Sequence, residues 1–158
     1  MKNFELLFDL IADHPGLNIA LIDDGSYDCE DKLVKFCQSI NAKLYIKSLI
    51  PRNHIHGEAL HVEEFKFTQE RYNKQALQYD FLFICANIED IKDMDSVANK
   101  IYRALKNAAN LFLVVNKNMQ FDFCTILEKS NFVALNTIDL NDEVNVVSAK
   151  KMHGWTKV

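Results

Sequence analysis

The chain has 158 residues, 49% of them hydrophobic and 25% charged, and its 18 basic and 22 acidic side chains leave it at −4. That length suits a single domain, 1–158, with a core large enough to need no disulfide or metal staple. No lysine- or arginine-rich block is present, so there is no strong nucleic-acid or anionic-membrane signal, since either would call for a concentrated positive face.

Phe4 to Ala12 carries apolar residues at 4, 7, 8 and 11, the spacing of one helical face, and His14-Pro15-Gly16 ends it. Asn18 to Ile22 reads as a short buried strand, followed by the polar loop Asp23-Asp24-Gly25-Ser26-Tyr27-Asp28. A helix is predicted from about Cys29 to Ile40, with Leu33, Phe36, Cys37 and Ile40 on one side. Asp28 or Glu30 suits its positive end. Lys43 to Ser48 alternates as a second strand. Beyond it the pattern weakens: Ile50 to Gly57 reads as a loop, Glu58 to Phe67 as a short strand or irregular piece, and Gln69 to Gln78 as a helix.

Tyr79 to Asn116 is the clearest unit. It holds the apolar run Phe81–Ala86, capping residues between Glu89 and Asp95, a helix with Val97, Ile101, Ala104, Leu105 and Ala108 at core spacing, and a second run, Leu111–Val115. Strand, helix, strand makes a β-α-β unit with buried parallel strands. A helix from about Phe121 to Lys129 follows, then strands Phe132–Ile138 and Val144–Ala149 joined at Asn141-Asp142 as an antiparallel hairpin. The expected fold is α/β, with three layers and a mostly parallel sheet closed by that C-terminal hairpin.

Cys29, Cys37, Cys85 and Cys124 are far apart, with no C-x-x-C spacing, which reads as free thiols in a reducing compartment. Glu5 and Asp9 spoil a signal-peptide core. No apolar run approaches the ~20 residues of a membrane span. A cytoplasmic protein without membrane association is expected.

Ile101-Tyr-Arg-Ala-Leu-Lys-Asn-Ala-Ala-Asn-Leu-Phe-Leu-Val-Val115 resembles the fourth helix, lysine-containing turn and fifth strand of the class I S-adenosylmethionine-dependent methyltransferases. Leu127 to Phe132 is similar to that family's last helix and the glycine-phenylalanine opening its closing hairpin, and Tyr79–Cys85 to its fourth strand. These matches cover roughly the C-terminal half and are packing and turn positions. The resemblance implies a methyltransferase-like, Rossmann-like fold, with S-adenosylmethionine as the cofactor to test. It also implies a cofactor edge at Asp23, Asp24, Gly25, Ser26, Ser48 and Asn87. Asp23 and Gly25 match the family's acid-x-glycine, but Tyr27 and Cys29 stand at two further glycine positions. The second strand ends in Ser48 where the family has a ribose-binding acid; Ala108-Ala109 and Asn131 replace its later glycines. Asn87, Glu89 and Asp90 follow the fourth strand, where substrate-facing residues are expected; capping of the next helix accounts for Glu89 to Asp95 equally well.

The expectation is a degenerate cofactor site in a domain that acts by binding, as a homo-oligomer or with a protein partner. Alternatives are a divergent active methyltransferase and, more weakly, a metal-binding protein using His54 and His56, with His61 and Glu58 nearby. The aromatic residues Phe65, Phe67, Tyr72, Tyr79 and Phe81 are read as core, and Trp155 as an edge cover or interface residue.

Overall fold

A computed structural model describes residues 4–11, 15–75, 77–89 and 91–152. Trp155, Asp90, His14 and Ala12, the last residue of the first predicted helix, lie outside these residues. Eight strands form one sheet: β1 (Asn18–Asp23), β2 (Lys43–Ser48), β3 (Ile55–His56), β4 (Leu60–Glu64), β5 (Tyr79–Cys85), β6 (Leu105–Asn116), β7 (Phe132–Asp139) and β8 (Val144–Lys151). Their spatial order is β3-β4-β2-β1-β5-β6-β8-β7. The centre, β4-β2-β1-β5-β6, is parallel, while β8 runs antiparallel to β6 and to β7.

The apolar runs are sorted by the two-residue period of a strand. In β5, Phe81, Phe83 and Cys85 enter one core while Leu82 and Ile84 enter the other. In β6, Phe112 and Val114 oppose Leu111, Leu113 and Val115 in the same way. Helix α1 (Glu30–Ile40) covers the first face through Leu33, Cys37 and Ile40, joined by a 3-10 helix, Phe4–Leu10, through Phe4 and Leu7. Helices α2 (Met94–Ala104) and α3 (Gln120–Lys129) cover the second through Val97, Ile101, Phe123 and Leu127. The result is the expected three-layer arrangement, mostly parallel, with its closing antiparallel hairpin. Among the described residues no helix is long and apolar enough to cross a membrane.

Four stretches differ from the sequence reading. The N-terminal helix is a 3-10 helix, whose three-residue turn puts Phe4 and Leu7 on one side. The helix predicted at Gln69–Gln78 is absent: the described residues there form turns and bends. Side chains take the backbone groups a helix would use. Gln69 Oε1 accepts the Lys66 N–H at 3.0 Å, Gln78 Oε1 accepts the Lys74 N–H at 2.9 Å, and the Tyr72 hydroxyl donates to the Phe67 carbonyl at 2.7 Å. The loop read at Ile50–Gly57 contains β3, which pairs antiparallel with β4.

Helix α2 also stops at Ala104, although Leu105 and Ala108 keep helical spacing. Leu105 is extended and pairs with Tyr79, and the next pairing is Phe81 with Asn110. The intervening residues bulge, with Ala108 left-handed at φ 67°. That position stands in for one of the paired glycines, and Asn131, left-handed at φ 73°, stands in for the later one. Strand pairing over a fully buried Leu105 outweighs helical periodicity here.

Candidate functional site

Chain order reverses between β1 and β5: from β1 the sheet grows through β2 and β4 on one side and through β5 and β6 on the other. Ligands of open α/β sheets bind in the crevice outside the carboxyl ends of strands at such a switch point. Asp23 ends β1, Ser48 ends β2 directly beside it, and Asn87 lies just beyond β5. The topology therefore brings together Asp23, Asp24, Gly25, Ser26, Ser48 and Asn87.

Asp24 spans the crevice. One carboxylate oxygen accepts the Ser26 N–H at 2.8 Å and the other accepts the Asn87 N–H, also at 2.8 Å. Its own N–H reaches the Cys85 carbonyl at 3.5 Å. The first bond closes a local turn, and the second ties the loop after β1 to the loop after β5. Asn87 spends its side-chain oxygen on the Glu89 N–H at 3.3 Å.

Ser48 is buried and engaged with its own loop. Its hydroxyl donates to the Ile50 carbonyl at 2.7 Å and accepts the Ile50 N–H at 3.3 Å. Leu49 N–H bonds the Asp23 carbonyl at 2.9 Å, which holds this turn against the end of β1. Gly25 is left-handed at φ 80°, the conformation that calls for glycine, and the Ile50 Cδ1 lies 3.6 Å from where a side chain on Gly25 would begin. Ile50 thus packs over the loop's one glycine.

Asp23 is only 7% exposed, and its Oδ1 has no hydrogen-bond partner among the described residues. Burial pushes its carboxyl up to about 6; the Gly25 backbone N–H pulls down, Glu30 and Asp24 push up, and Arg52 pulls down. Arg52 is ion-paired with Glu30. Tyr27 packs half-buried toward the core under α1, its hydroxyl pushed up by burial and then by Asp24 and Glu89. Beneath the crevice Cys29 and Cys85 are fully buried, and burial, then the neighbouring Cys29, raises the Cys85 thiol. A cavity of about 310 Å³ opens farther along, at the ends of β2 and β4, between Ile50, Phe65 and Gln69.

His54, His56 and His61 meet at the β3–β4 edge of the sheet. His56 pairs with His61 across β3 and β4, the His54 and His56 rings lie 6.1 Å apart, and His61 stacks on Tyr45 at 4.7 Å. Burial, then His56, lowers the His61 imidazole. No three His, Cys, Asp or Glu side chains come together as a metal-holding group among the described residues.

Sequence reasoning found the loop residues through their places at strand ends. It missed Ile50 and the span from Asp24 to Asn87, because a contact between residues 63 positions apart leaves no local pattern.

No family model and no curated protein matches the chain. Solved structures do. A Listeria monocytogenes chain ascribed to the S-adenosylmethionine-dependent methyltransferases superposes with a TM-score of 0.74 at 12% identity, over 96% of this chain and 98% of that one. A Mesorhizobium loti S-adenosylmethionine-dependent methyltransferase gives 0.69 at 10% identity, over 96% and 98%. Phosphoethanolamine N-methyltransferase 2 of Haemonchus contortus, bound to phosphomonomethylethanolamine and S-adenosylhomocysteine, gives 0.72 at 12% identity. This chain is covered over 96% and spans about half of that enzyme, 53%. The fold is that of the class I S-adenosylmethionine-dependent methyltransferases.

Proposed function

We propose that this methyltransferase-like domain has a degenerate S-adenosylmethionine site and acts by binding, as a homo-oligomer or as the non-catalytic partner of another protein. The observation that carries the reading is the Asp24 carboxylate, whose two oxygens are taken by the Ser26 and Asn87 N–H groups across the switch-point crevice. Three further features support it. Ile50 packs over Gly25, Ser48 turns its hydroxyl back onto Ile50, and no carboxylate ends β2 to grip ribose hydroxyls. Residues that hold one another in this way do not fit the cofactor, so no methyl-transfer step is routed through them. The four free thiols suit a cytoplasmic setting.

The test is titration calorimetry of the full chain with S-adenosylmethionine and S-adenosylhomocysteine. The expected result is no saturable heat up to about 1 mM, a free energy weaker than about −4 kcal/mol. Micromolar binding of either would overturn the reading.

One observation favours the second reading, a divergent active methyltransferase: Asp23, the match to the family's first acid, keeps a buried acceptor oxygen without a partner. Unsatisfied buried acceptors with raised pKa values are typical of functional sites. Under that reading Asp23→Asn abolishes cofactor binding; under the proposed one it only changes stability.

A further inference from the structure

The amino ends of the strands carry a feature unrelated to the switch-point crevice. A cleft of about 660 Å³ opens between the irregular stretch before β5, the last turn of α2, the end of α3 and the end of β8. Its walls bring together Arg71, Lys74, Lys100, Arg103 and Lys151, against the single carboxylate of Glu70. The chain as a whole is at −4, so this concentration of positive charge runs against its average. The cations come from three separate segments, the stretch before β5, α2 and β8, which is why no basic block shows in the sequence.

The ordinary explanation for cations here is that they neutralise the carbonyl ends of α2 and α3. Lys151 does this for α2: its buried ammonium donates to the Tyr102 and Leu105 carbonyls, each at 2.8 Å. Two helix ends together amount to about one negative charge. Five cations less Glu70 and about one unit from the helices leave about +3 in the cleft. Lys74 is partly spent on Glu63, at 3.5 Å. Among the described residues Arg71, Lys100 and Arg103 form no ion pair within 4 Å, although Lys100 lies over the Tyr72 ring at 5.7 Å. Helix neutralisation therefore accounts for part of this charge and leaves a surplus.

We propose that this cleft binds a small ligand carrying two or more phosphate charges. Its volume falls within the range of small-molecule sites, about 300–1,000 Å³. Guanidinium groups from two different segments, Arg71 before β5 and Arg103 on α2, suit two oxygens of one phosphate chain. Asn73, Asn99 and Asn131 add amide donors at the rim.

The test is calorimetric titration of the full chain with pyrophosphate, ADP, adenosine and a single-stranded oligonucleotide. Arg71→Ala and Arg103→Ala report on the cleft; Lys66→Ala, an exposed cation outside it, is the control. All these side chains are exposed, and unchanged thermal melts verify that each variant folds. Pyrophosphate and ADP should bind at micromolar levels, about tenfold more weakly in each arginine variant, with the control unchanged. ADP tighter than pyrophosphate identifies a nucleotide as the ligand, and equal affinity a bare polyphosphate. Adenosine should not bind. The proposal is overturned by the absence of saturable binding, by affinity unaffected in both arginine variants, or by adenosine binding as tightly as ADP. A response confined to a single-stranded oligonucleotide would overturn it in favour of a nucleic-acid surface.

Discussion

The two ends of the sheet have opposite characters. At the carboxyl ends, where the fold puts its ligand crevice, Asp24 stitches the loops after β1 and β5 together, and acids dominate around the buried Asp23. At the amino ends, where nothing about the fold calls for a site, a cleft gathers cations from three segments. A fold's usual site and a chain's open site are therefore separate questions. Topology decides where a crevice forms; side chains decide whether anything can enter it.

The largest effect is expected from Lys151→Ala. This change removes the donor to the Tyr102 and Leu105 carbonyls and opens a hole at the floor of the cleft. A loss of about 3 kcal/mol should appear in urea unfolding, since buried acceptors left unpaired cost about 1–3 kcal/mol each. A loss below about 1 kcal/mol would mean that the ammonium is not structural, sharpening the case that it faces a ligand.

Asp23→Asn should act in the opposite direction. The folded carboxyl titrates near 6 and its ordinary value is 3.8. Below 3.8 both states are protonated. As pH rises through the window the unfolded chain ionises first, so stability falls and the full cost is reached above about 6. Asparagine removes that cost, so the variant should be more stable by about 2–3 kcal/mol at pH 7.5. The fall in stability that Asp23 contributes between pH 4 and 6 should also be missing from the variant. Melts across that range check the slope; an unaltered slope would take Asp23 out of the account.

Asp24→Ala should cost about 1–3 kcal/mol by freeing the Ser26 and Asn87 N–H groups. Amide exchange at Asn87 should accelerate with it. Protection unchanged at Asn87 would break the claim that the crevice is stitched. The smallest effect on stability belongs to Arg103→Ala. An exposed side chain that forms no ion pair among the described residues should move stability by less than about 0.5 kcal/mol, leaving phosphate binding as its readout.

The architecture was legible in the sequence wherever burial had a period. Phe81–Ala86 and Leu111–Val115 are long enough for both faces of a strand to be apolar, and the helical faces of α1, α2 and α3 repeat cleanly. Where aromatic side chains pack without a period, legibility failed. Phe65, Phe67 and Tyr72 anchor an irregular crossover whose backbone is satisfied by Gln69, Gln78 and the Tyr72 hydroxyl. Leu105 failed for a related reason: its helical spacing is real, but β5 claims it as a strand partner. The replaced glycines at Ala108 and Asn131 were readable in place; the left-handed conformation was readable at Asn131, whereas Ala108 keeps helical spacing. In the candidate site the strand-end residues were legible. Their state was not, because Asp24 reaches Asn87, and Ile50 reaches Gly25, across distances the sequence does not mark.

The most direct measurement follows amide shifts of one isotopically labelled sample of the full chain during titration with S-adenosylhomocysteine and then with pyrophosphate. Pyrophosphate should shift Arg71, Lys100 and Arg103 along the cleft, while S-adenosylhomocysteine leaves Gly25, Ser26 and Asn87 unmoved. Saturable shifts of Gly25, Ser26 and Asn87 with S-adenosylhomocysteine would contradict the claim that the switch-point crevice is closed to its cofactor.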